Sequence, residues 1–362
     1  MKNFLLVALL AISLKGNAQK RNPHNKAIFL EDISWTTAKE FLTPEAIVVI
    51  PVGAGAKEHG PHLPLSTDLI QADGIRDLLA LERKVIIAPT INYGYYPAFI
   101  KYHGSTTLSY TTSVDVVLQI IRSLSNYGPK RFYIINIGVS TTATLETAAG
   151  ILAEEGILLY YSNYARKNFD KTEELFRTKD FSGHADEIET SNILSLRPDL
   201  VNMSKAVNDS SAKGKQGMIL SPEDVENTAY CPSGVVGYAA LGTKQKGSLS
   251  LHAYTKEVIR EIDSITICAL PTEKSRASAY KQYEGEYAGT GRKNILIQVK
   301  DNHLQYKLAE AKFFSPYLLV RNAEDYFSAQ NLTILFVKND AGQIEKAWCE
   351  SRGESFWLTK LK

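Results

Sequence analysis

Four short, apolar, β-branched runs in the first half of the chain restrict the fold more than any other feature. They are Ala46-Ile47-Val48-Val49-Ile50-Pro51, Lys84-Val85-Ile86-Ile87-Ala88-Pro89, Arg131-Phe132-Tyr133-Ile134-Ile135-Asn136-Ile137 and Ile157-Leu158-Leu159-Tyr160-Tyr161. Runs this short and this continuous suit strands buried on both faces. Helical patterns lie between them. Val114, Val117, Leu118 and Ile121 recur at helical spacing behind Thr111, Thr112 and Ser113, any of which suits an N-cap, and Gly128 ends the segment. Thr144 to Glu155, rich in Ala and Glu, reads as a second helix closed by Gly156. Strand, helix, strand, helix, strand predicts an α/β domain with a mainly parallel sheet covered on both faces. Ligand sites in such sheets lie beyond the carboxyl ends of the strands. Lys57–Asp68, after the first run, and Asn136–Thr142, after the third, are therefore expected to converge.

The pattern changes near Pro271. From Tyr283 on, alternating runs such as Ile295–Val299 and Leu304–Leu308 are separated by turn residues, including Asn339-Asp340-Ala341-Gly342. This predicts a small antiparallel β meander or barrel over 279–362, joined by a polar linker, Thr272 to Ser278, to a domain over 20–270. Residues 1–19 form neither unit. Lys2, an apolar run from Phe4 to Leu14 and the small or polar residues Gly16 to Gln19 have the layout of a signal peptide, so the expected location is periplasmic or secreted. The apolar run is too short for a stable membrane span, an uncleaved anchor being the alternative reading. With a formal charge of +2 on 362 residues and no basic run, nucleic acid is not an expected partner. The cysteines Cys231, Cys268 and Cys349 are odd in number and form no CxxC pair; one bridge with a free thiol and three buried thiols are the two readings.

Glu58, His59, His62 and Asp68 fall within eleven residues, and two of the chain's seven histidines are among them. Imidazole and carboxylate are the donors that hold zinc or manganese in hydrolytic sites. Pro61 and Pro64 stiffen the segment, and Gly60 lets backbone approach a ligand. A second cluster, Gly183-His184-Ala185-Asp186-Glu187-Ile188-Glu189, opens a helix. His184 suits a general acid or base there and Glu189 a ligand or water-holding carboxylate, while helix capping explains the acidic residues equally well. His103 and Tyr96 are weaker candidates for lining a substrate pocket.

Pro51-Val52-Gly53, then His59-Gly60-Pro61-His62-Leu63-Pro64-Leu65 with Thr67-Asp68, resembles the creatininase family. His184-Ala185 with Glu189-Thr190-Ser191, and Ser233-Gly234-Val235-Val236-Gly237 ending at Lys246-Gly247, extend the resemblance over about residues 28 to 265. It implies a three-layer α/β/α fold, hydrolysis of C–N bonds in small cyclic or linear amides, a divalent metal centre and a homo-oligomer. Zinc is the first expectation, with manganese or iron as alternatives, and one ion or two is left open. By motif, Glu58, His59 and Asp68 are expected as metal ligands, and His184 and Glu189 as the catalytic pair. Two departures stand out. Lys57 occupies the place of the family's glutamate, with Glu58 beside His59. Asn136-Ile137-Gly138-Val139-Ser140-Thr141 stands where the family carries a ligand histidine. A catalytically inactive small-molecule-binding protein on the same fold is therefore the alternative.

Overall fold

The computed structural model describes residues 22–162, 178, 183–209, 219–223, 229–272, 277–291, 294–300, 303–309, 317–323, 325–329, 332–351 and 354–361. The signal-peptide segment 1–19 and residues 273–276 of the expected linker lie outside the described residues.

Strands β1 (Ile28–Phe29), β2 (Ile47–Val52), β3 (Ile86–Ile87), β4 (Arg131–Asn136) and β5 (Leu158–Tyr161) form one sheet in the order β1-β3-β2-β4-β5. Every neighbouring pair is parallel. Side chains alternate across the sheet, so each apolar run feeds two cores. Val48, Ile50, Phe132 and Ile134 pack with Val114, Leu118, Ile121 and Leu152 of helices α3 (Tyr110–Ser125) and α4 (Thr142–Glu154). Val49, Tyr133 and Ile135 face the other way, onto Ala72, Leu79, Val258 and Ile262 of helices α2 (Thr67–Glu82) and α6 (Lys244–Ile267). The result is the three-layer α/β/α arrangement.

Several local expectations are corrected. Helix α3 is capped by Ser109, whose side chain accepts from the Thr112 N–H, rather than by Thr111, Thr112 or Ser113. Thr67 and Asp68 begin α2 instead of closing a loop. Helix α2 was not legible because its buried face includes Asp68, Gln71 and Arg76, which break the apolar stripe. The cysteines match neither expected arrangement: all three are free thiols, Cys231 and Cys349 buried and Cys268 exposed.

From Gly285 to Lys360 nine strands form a second sheet, antiparallel at every junction. Its edge strands, Tyr317–Leu318 and Val320–Ala323, are separated in sequence by Leu319 alone. One residue spans only about 3–4 Å, so the two edges lie side by side and the sheet curls round on itself. Tyr283, Tyr287, Phe327, Ile334, Phe336 and Leu358 fill its interior. The sheet rests on α3 and α4, where the Tyr317 ring lies 5.5 Å from that of Tyr110 and the Tyr280 hydroxyl donates to Glu154 at 2.6 Å.

Candidate metal centre

The chain leaves β2 at Val52 and passes through Gly53–Ser66 before entering α2. Gly53 is packed so closely on the Asp68 backbone that a Cβ there would collide with it. Gly55 N–H donates to the Asn92 carbonyl (2.8 Å) and Thr106 N–H to the Ala56 carbonyl (2.9 Å). The Glu58 N–H is held by the Ser105 hydroxyl at 2.9 Å. Ile137 N–H, just beyond β4, donates to the Val52 carbonyl at 3.3 Å, so both strand-end segments lie at the same edge of the sheet, as topology required. Asn136 then closes its own turn by donating to the Gly138 carbonyl at 2.9 Å.

His184 arrives by a different route. It pairs with Val236 in an isolated antiparallel bridge, with N–H···O distances of 3.1 and 2.8 Å. Ala185 follows with a left-handed φ of 49°, unusual for a residue with a Cβ, and this kink turns the chain into helix α5 (Glu187–Leu196). Asp186 caps α5 by accepting from the Ile188 and Glu189 N–H groups. The Ala185 N–H donates to Glu189 Oε2 at 2.6 Å. Of the acidic residues in this motif, Asp186 is the one whose side chain caps the helix, and Glu189 turns back to Ala185.

Three of the sequence candidates meet as donors. One ligand atom each from His59, His184 and Glu189 lies within 4.8 Å of the others, the only such group of three among the described residues. Each imidazole has its second nitrogen held. His59 Nδ1 lies 3.0 Å from the Lys57 carbonyl, an acceptor only, and Nε2 points into the cluster, 2.8 Å from Asp68 Oδ1 and 3.9 Å from Glu189 Oε1. His184 Nε2 lies 2.8 Å from the Glu58 carbonyl and 2.9 Å from the Glu58 carboxylate, again acceptors only, which leaves Nδ1 facing Glu189 at 3.8 Å. Histidine ligands oriented by a carbonyl or carboxylate on the far nitrogen are the usual outer-shell arrangement at metal sites. By this geometry the residues present fit a divalent cation. Glu189, with 24 % of its side chain exposed, is the wet side of the cluster, whereas the His59 side chain is fully buried.

Glu58 and Asp68, expected as ligands, lie outside this group of three and touch its histidines. The Glu58 carboxylate accepts from Gly60 N–H and His184. Burial would raise its pKa, but His184 and the Gly60 N–H outweigh burial and hold it below its ordinary value. The same contact works in reverse on His184: burial alone would lower the imidazole, and the Glu58 charge lifts it above its usual range. Asp68 Oδ1 lies 2.8 Å from His59 Nε2, and Oδ2 lies 2.7 Å from Lys57 Nζ. These two partners overcome complete burial and keep Asp68 well below the usual carboxylate range.

His62 is not a fourth donor. Its Nε2 meets the Thr190 hydroxyl at 2.8 Å, bracing the segment against α5, and burial drives its pKa to about 4. Of the pocket candidates, Tyr96 is buried and lies beside the centre, with Lys57 Nζ 5.8 Å from its ring centroid. His103 is exposed and joins none of the cluster's contacts. Sequence reasoning missed Phe99, whose ring lies 4.3 Å from His184 and 4.8 Å from Lys57 Nζ. It also missed Gly234, where a Cβ would strike the Glu58 carboxylate. The Ser-Gly-Val-Val-Gly motif signalled the position of Gly234 but not its partner.

A sequence model of the creatininase family, described as creatinine amidohydrolase, matches residues 31–262. A 3-dehydro-scyllo-inosose hydrolase from Thermotoga maritima is 26% identical over 272 residues, covering 65% of this chain and 83% of that protein. A creatinine amidohydrolase from Pseudomonas putida is 24% identical over 263 residues, covering 66% of this chain and 98% of that protein. Among solved structures, one titled "Creatininase Mn" superposes with a TM-score of 0.56 at 22% identity, over 67% of this chain and 100% of that one. At that identity the superposition speaks for the fold.

Proposed function

The chain belongs to the creatininase family of amidohydrolases, hydrolases of C–N amide bonds, and on that premise we propose that it is a metal-dependent hydrolase of small cyclic or linear non-peptide amides. One observation carries the proposal: His59 Nε2 and His184 Nδ1 both face Glu189, at 3.9 and 3.8 Å, while Nδ1 of His59 is held by the Lys57 carbonyl and Nε2 of His184 by Glu58. His59, His184 and Glu189 would hold the ion, zinc first and manganese or iron as alternatives. When bound, such an ion lowers the pKa of a water and polarises the amide carbonyl.

The remaining roles belong to the chain's own groups. Glu58 keeps the proton on His184 Nε2 and so presents Nδ1 as a lone pair. The Lys57 carbonyl holds His59 at its Nδ1. Asp68 fixes the His59 ring from the Nε2 side. Phe99 and Tyr96 close the inner wall around Lys57 and keep water from the buried half, so a substrate enters from the Glu189 side. We further propose an exported protein and a homo-oligomer.

The test is turnover of a panel of lactams and linear amides by purified protein reconstituted with zinc or manganese. Expected is hydrolysis that a chelator abolishes and that returns with metal. Failure to retain any zinc, manganese or iron after reconstitution overturns the proposal. The alternative, a non-catalytic binding protein, is favoured by Lys57 inside the cluster. It would show thermal stabilisation by amides with no turnover.

A further inference from the structure

Lys57 is the one side chain of the cluster with no evident use in a metal centre. It is also among the most buried, with its side chain 6% exposed. Its ammonium is not adventitious: it lies 2.7 Å from Asp68 Oδ2 and is walled by the Phe99 and Tyr96 rings at 4.8 and 5.8 Å. Aromatic faces favour a cation over a neutral group at such distances. With His59 on Oδ1 and Lys57 on Oδ2, both oxygens of Asp68 are engaged.

Charge decides what this means. The cluster holds three carboxylates, Glu58, Asp68 and Glu189, against the Lys57 ammonium and two imidazoles that bind metal in the neutral form. One divalent ion with Lys57 balances the three negative charges. Two divalent ions with Lys57 would leave an excess of two positive charges among side chains that, Glu189 apart, are buried, and uncompensated buried charge is strongly unfavourable.

We propose that Lys57 is a resident cation that takes the place of a second metal ion, so that the centre binds a single divalent ion on His59, His184 and Glu189. The inference rests on the metal-centre reading above and sharpens it to a stoichiometry and a positioning role for Lys57.

The full-length protein, stripped with chelator, is titrated with cobalt(II) chloride. The end point is read from visible absorption and from bound cobalt after desalting. Circular dichroism reports whether each variant is folded. Expected is an end point at one equivalent for wild type and for Lys57→Arg, which keeps the cation. Lys57→Glu removes the ammonium and adds a carboxylate, so its end point moves to two. A wild-type end point of two overturns the inference and leaves the metal reading standing, as does a folded Lys57→Glu that stops at one. A wild type that binds no cobalt overturns the metal reading itself, and this inference with it. Should Lys57→Glu not fold, the wild-type and Lys57→Arg end points decide.

Discussion

Gly234→Ala tests how the centre is held together. Gly234 has φ +70°, and a Cβ built there overlaps the Glu58 carboxylate, with even the farther oxygen at 3.0 Å. Two costs follow. A non-glycine residue in the left-handed region loses roughly 1–2 kcal/mol. Glu58 is buried and must also move, which gives up its bond to Gly60 N–H or to His184; a hydrogen bond to a charged group contributes about 1.5–3 kcal/mol. The expected loss of stability is therefore about 2.5–5 kcal/mol. Gly342→Ala is the internal reference. It has a similar φ of +75° in an exposed turn with nothing within 4 Å of the new Cβ, so only the backbone cost of roughly 1–2 kcal/mol applies. Differential scanning calorimetry of both variants beside wild type measures the difference. Cobalt titration adds a second readout: once Glu58 no longer orients His184, affinity falls about 10–100-fold in Gly234→Ala, and Gly342→Ala leaves it unchanged. Equal destabilisation of the two variants with unaltered cobalt affinity would refute the role given to Glu58.

Other outcomes follow from the same contacts. Glu58→Gln keeps the side-chain shape but removes the charge behind His184, so metal affinity falls about 10–100-fold with the circular dichroism spectrum retained. Asp68→Ala leaves the Lys57 ammonium buried without its carboxylate, which costs about 3–5 kcal/mol in denaturant unfolding and abolishes amide turnover. Ser109→Ala removes the cap of α3, far in role from the chemistry, and lowers stability by about 1 kcal/mol with turnover unchanged.

The parallel sheet was legible because its signal is local. Ile47–Val52 and Arg131–Asn136 are unbroken apolar runs, and only a strand covered on both faces accommodates them. The alternating C-terminal runs were legible for the same reason. Helix α2 was not, because its buried face carries polar groups whose partners lie elsewhere: Gln71 accepts from Asn192 of α5, 121 residues away, and Asp68 meets Lys57.

The site divides in the same way. His59, His184, Glu189, Glu58 and Asp68 stood out by residue type and motif, and their location beyond the strand ends followed from topology. The contacts that link them did not. Glu58 is adjacent to His59 in sequence, yet its carboxylate turns to His184, 126 residues away. Lys57 read as a departure from a family pattern, and only its approach to Asp68 makes it a resident charge. The sequence by itself determined which chemical groups the chain carries and the strand ends near which they lie, because periodicity and residue type are properties of short segments. Which nitrogen faces which oxygen was decided by the tertiary structure alone, because those pairs join segments that meet only after the sheet, α2 and α5 have packed.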